Sequence, residues 1–131
     1  MNNIDVITRA FRLSGVIAET ETPSSEQADS ALTSMNRMIS RWQVDGIELD
    51  YYSQTSLSEE IPAPEEALDA IEYCLAKRLA GENGLTPPPT TLLEAEMAYE
   101  SLVRATLDVS TSDLTHVPGS VRYGFNIQSG K

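Results

Sequence analysis

The side chains able to do chemistry in this 131-residue chain are few and scattered. His116 is the one histidine, so no Ser/His/Asp set assembles around it, and it is expected to be a surface residue. Cys74 is the one cysteine, which excludes an internal disulfide and a cysteine-based metal cluster. It stands between Ile71 and Leu75 and reads as a small buried hydrophobe rather than a reactive thiol. Carboxylates are plentiful. Glu59-Glu60 and Glu65-Glu66 are the pairs that could run acid/base hydrolysis of a sugar, as in a peptidoglycan hydrolase. Paired acids ahead of a helix also follow from the helix dipole and from solubility alone. Asp45, Glu48 and Asp50 put three hard oxygen ligands on a short segment, without the glycine and closing glutamate that shape a calcium loop. Gly81-Glu82-Asn83-Gly84 reads as a helix stop, not a phosphate loop. The chain is therefore expected not to be an enzyme and to use no metal or cofactor.

The elements that carry these residues read as helices. Val6, Ala10, Leu13 and Ile17, with Ile7 and Phe11 alongside, recur at helical spacing over about Ile4 to Ser14. Asn2 or Asn3 suits the cap and Gly15 the stop. In the second segment, Thr22 is the expected cap and Pro23 the first helical residue. Ala28, Ala31, Leu32, Met35, Ile39 and Trp42 mark one face, and Asp45-Gly46 ends the helix. Ile47 to Tyr51 alternates apolar and acidic residues, as a short strand or an extended connection would. The stretch to Ala63 reads as a polar loop anchored at Ile61-Pro62. A third helix fits Glu65 to Ala80, with Leu68, Ile71, Leu75 and Leu79 as its stripe and Lys77-Arg78 near its end. Leu85 to Pro89 is a stiff connector. A fourth helix fits Thr91 to Val109, with Leu92, Ala95, Tyr99, Leu102 and Thr106 on one face. The expected architecture is all-α: a small four-helix bundle over 1–112, an extended connection after the second helix, and an extended tail over 113–131.

Composition limits the function classes. The net charge is −11, from 20 acids and 9 bases, so the basic footprint of a nucleic-acid binder is missing. Between Trp42 and Ala76 stand nine acids and no Lys or Arg. No apolar run approaches the roughly 20 residues a membrane span needs, and no secretory signal is evident. These features fit a protein made in a reducing cytoplasm. Trp42 is expected to complete the core. The tail "VRYGFNIQSGK" is different: Tyr123, Phe125 and Ile127 are spaced by two and would share one face of an extended segment. A bundle this small has no internal use for them, and such segments commonly add to a partner's sheet edge.

The layout resembles the head completion, or head-to-tail adaptor, proteins of tailed bacteriophages, closest to the packaged-DNA stabilisation protein of short-tailed phages. The carrying stretches are "AFRLSGVI", "SMNRMISRWQVDGIELDYYS", "EEALDAIEYCLAKRLAGENG" and "VRYGFNIQSG". The resemblance implies a structural virion protein at the head-tail junction. It implies a ring of about twelve copies, added beneath the portal after DNA packaging, that extends the DNA channel and docks a tail or nozzle component. On that likeness Arg122, Tyr123, Phe125, Asn126 and Ile127 would carry portal contacts, while Trp42, Asp45 and Gly46 form a structural helix-end motif. Asp45, Glu48, Asp50, Glu59, Glu60, Glu65 and Glu66 become candidate channel-lining acids, past which double-stranded DNA would slide without sequence-specific binding. Two other readings stay open: a generic acidic helical interaction module that mimics DNA or binds a host factor, and the peptidoglycan hydrolase.

Overall fold

In the second helix the first residues matter most. Ser24 Oγ accepts a hydrogen bond from the backbone N–H of Gln27 (3.2 Å), and Gln27 Oε1 accepts one from the N–H of Ser24 (2.9 Å). This reciprocal pair starts the helix at Ser25, not at Pro23, because Ser24 and Gln27 satisfy amides that Thr22 would leave free. The structure, a computed structural model, describes the backbone of residues 1–114 and the side chains of 1–106. Its helices are α1 (Asn3–Ser14), α2 (Ser25–Val44), α3 (Glu65–Glu82) and α4 (Pro89–Leu114). The expected all-α fold is present, and the described residues contain no strand. Gly15 closes α1 in the left-handed conformation (φ 85°) that glycine adopts without strain. α3 runs two residues past Ala80, so Lys77 and Arg78 fall short of its last turn. α4 starts at Pro89, earlier than expected, because proline fits a first helical turn. It also continues past Val109 and past the expected body boundary at 112.

Three contacts fix the helix directions. Arg9 Nε meets Glu72 Oε1 at 2.9 Å, and further along both helices Phe11 and Leu79 line one hollow, so α1 and α3 run the same way. Ser34 donates to Glu82 at 2.7 Å, while Met38 and Trp42 lie beside Arg78 and Cys74, so α2 runs against α3. Thr91 Oγ1 donates to the Leu13 carbonyl at 2.8 Å, which starts α4 where α1 ends. α3 is the central helix, and the other three pack on it. Val6, Ile7, Met35, Ile39, Ile71 and Leu75 are fully buried between them. Burying each such side chain contributes about 1.5–3 kcal/mol.

The connection from Asp45 to Pro64 is extended and laid along the bundle. Ile47, Leu49 and Tyr51 are buried while Glu48 and Asp50 are exposed, so the apolar–acidic alternation is an in–out alternation. Asp50 sits at φ 56°, a left-handed conformation that aspartate tolerates better than most residues. Asn36 holds the segment to α2. Its Oδ1 accepts from the Tyr51 hydroxyl (2.5 Å) and the Gln54 N–H (2.8 Å), and its Nδ2 donates to the Gln54 carbonyl (2.9 Å). Gln54 Oε1 then accepts from Asn3 Nδ2 at 2.8 Å. Further on, the Glu59 and Leu57 carbonyls accept from the backbone N–H of Asn3 and Ile4, both at 2.9 Å. Those amides belong to the first turn of α1 and have no partner within their own helix.

Candidate functional site

The seven candidate acids all fall in the half of the bundle where α1 and α3 begin and α2 ends. Asp45 caps α2, Glu48 and Asp50 point out of the connection, Glu59 and Glu60 lie beside the α1 start, and Glu65 and Glu66 open α3. All seven are exposed. Glu60 is 3.7 Å from the terminal amine of Met1; among the described residues the other six have no cation within 4.0 Å. The common location follows from helix direction, since two parallel helices start and one antiparallel helix ends at the same pole. Asp69 and Glu72 complete the acid run one and two turns into α3, and Glu72 is buried.

Trp42 is 6 % exposed and packs in the core, its ring centroid 5.6 Å from that of Tyr99 at an interplanar angle of 52°. Tilted aromatic pairs at this distance are favourable beyond the area they bury. Gly46 takes φ 101° directly after Asp45, so "WQVDG" works as a helix stop. Cys74 is half-buried, and its Sγ lies 3.6 Å from the Ala95 carbonyl. Burial pushes its thiol up to about 11, with Lys77 pulling the other way, so it is protonated at neutral pH. The expected portal-contacting residues Arg122, Tyr123, Phe125, Asn126 and Ile127, and His116, lie outside the described residues.

Three features escaped the sequence reading. The first is the amide relay of Asn3, Gln54 and Asn36. Its signal was Asn3, a polar residue four before Ile7 and three before Val6 on an apolar stripe. The second is the Arg9–Glu72 pair. Glu72 stands on the Leu68–Leu75–Leu79 side of α3, where an acid demands a cation from a neighbouring helix. Its Oε1 is held by Arg9, while Oε2 has no hydrogen-bond partner among the described residues. Burial raises the Glu72 carboxyl above its ordinary value, and Arg9 offsets part of that rise. The third is a groove of about 510 Å³ between α2, α3 and α4. Met38, Trp42 and Tyr99 line it with Arg41, Lys77 and Arg78, on a chain that is otherwise acidic. No stripe announces such a groove, because its residues come from three helices.

Among the described residues no group of His, Cys, Asp or Glu is placed to hold a metal ion, and no helix is long and apolar enough to cross a membrane. The chain matches no family model and no curated protein.

Proposed function

We propose that this chain is a structural virion protein of a tailed bacteriophage: a head-to-tail adaptor that forms a ring under the portal after DNA packaging. The observation that carries the proposal is the exposed acid pole. Six carboxylates without a close cation, gathered where three helix ends meet, are costly to place together unless a solvated, repulsive surface is useful. In a ring the part of that surface carried by Glu59, Glu60, Glu65 and Glu66 faces the channel. Phosphates are then repelled over a Debye length of about 10 Å, and DNA passes without sticking. A basic lining would bind and stall it. The helical body supplies ring packing, and the tail residues Arg122, Tyr123, Phe125, Asn126 and Ile127 grip the portal. The ring's far side receives the tail or nozzle component. The resemblance in the helix-end and tail motifs supports the same reading.

The test is binding to purified portal rings, full-length chain against a chain ending at Leu114. Multiple full-length copies per ring, with no binding by the shorter chain, is the expected result. Equal binding by both moves the portal contact to the helical body. No binding by either overturns the adaptor reading in favour of an acidic interaction module, which would instead form a small defined complex with its partner.

A further inference from the structure

We propose that the groove between α2, α3 and α4 receives the acid-rich connection of a second copy of this chain, so that copies join head to tail. This rests on the ring-forming reading above and names the surfaces that build the ring.

The groove carries charge against the prevailing sign. Arg41 and Lys77 have no carboxylate within 4.0 Å among the described residues, and Arg78 shares Glu82 at 3.5 Å with the Ser34 hydroxyl. Glu96 is the one acid in the lining, so the cations prevail there on a chain of net charge −11. The floor is apolar and aromatic. Its complement is an acidic segment that also presents exposed apolar side chains. The chain has such a segment. Val44 is 86 % exposed and Tyr52 65 % exposed, and between them, past the end of α2, stand the exposed acids Glu48 and Asp50. Water-facing valine and tyrosine on an acidic knuckle, and Arg41 and Lys77 over a hollow floored by Trp42 and Tyr99, match in both charge and polarity.

The Glu48–Tyr52 stretch and the groove cannot meet within one chain. Successive residues of a helix turn by about 100°. Asn36 and Gln43, which hold the connection through Gln54 and the Tyr51 carbonyl, lie on one flank of α2. Met38 and Arg41, which line the groove, lie on the other, about 180° away by that rotation. Each copy therefore offers a knuckle on one side and a groove on the opposite side. That is a heterologous contact, and it generates a closed ring when the rotation between copies closes.

The chain has two lysines, Lys77 and Lys131, which makes carbodiimide coupling of lysine to carboxylate informative. Equal amounts of unlabelled and isotope-labelled full-length chain are coupled, digested and read by mass spectrometry, both free and on portal rings. The expected links join Lys77 of one isotope to Glu48 or Asp50 of the other. Arg41→Glu, at an exposed position, should cut their yield by about tenfold through like-charge juxtaposition. Links from Lys77 confined to its own chain, or directed to carboxylates elsewhere on the neighbour, overturn the proposal. If copies gather on the portal without these links, the interface is wrong and the adaptor reading stands. If the links form in the free chain while portal rings collect no copies, the contact stands and the adaptor reading falls.

Discussion

Glu72 is where burial and charge oppose each other most directly. The carboxyl is 3 % exposed, and desolvation raises it above its ordinary 4.5 even though Arg9 pulls it back. The proton is therefore held more tightly in the folded than in the unfolded chain. Its contribution to stability is complete below about pH 4.5 and is lost as pH rises through the folded-state value. Glu72→Gln cannot ionise. Its melting temperature relative to the parent should climb as pH is raised from about 4 to about 8. Paired melting curves across that range check this, and a constant offset would show that Arg9 fully compensates the charge. Trp42 makes a simpler case. Truncating a side chain this well packed to alanine should cost about 3–5 kcal/mol in denaturant unfolding. An unchanged curve would place the indole in service of an interface rather than the core.

At the scale of elements, one amide, that of Asn36, makes three of the hydrogen bonds that hold the connection. Asn36→Ala removes three hydrogen bonds at once and leaves the Tyr51 hydroxyl and the Gln54 N–H without that partner. The expected loss is roughly 2–4 kcal/mol. Amide exchange should rise across residues 47–60 more than in α3; uniform acceleration would mean the connection is no softer than the helices. The sequence showed this segment only in part. Its alternation predicted a short strand or an extended connection, because period-two patterning is local, and the extended connection is what forms. The four helices were legible for the same reason: their stripes repeat within a turn. The start of α2 was misplaced by two residues because Thr22-Pro23 and Ser24 both carry cap chemistry, and only the Gln27 side chain decides between them. The groove was not legible at all, since Arg41, Lys77 and Tyr99 become neighbours through tertiary packing. The seven acids were legible as a run but not as a pole, which depends on helix direction.

At the scale of the whole molecule, a net charge of −11 on 131 residues works against compactness. Added salt should relieve that. The melting temperature is expected to rise by a few degrees when sodium chloride goes from about 0.02 M to about 0.5 M, as the Debye length shrinks toward about 4 Å. A flat or falling trend would show that the acids are matched locally. The way α1 is anchored has a temporal consequence as well. Its first amides are taken by carbonyls at Leu57 and Glu59, its Arg9 by Glu72, and its Leu13 carbonyl by Thr91, which is 78 residues away. α1 thus waits for partners synthesised much later. An isolated twelve-residue helix is marginal in water. The nascent chain should carry α1 as an unsettled segment until α3 and the start of α4 have been made, so that docking of α1 is a late step in folding rather than its nucleus.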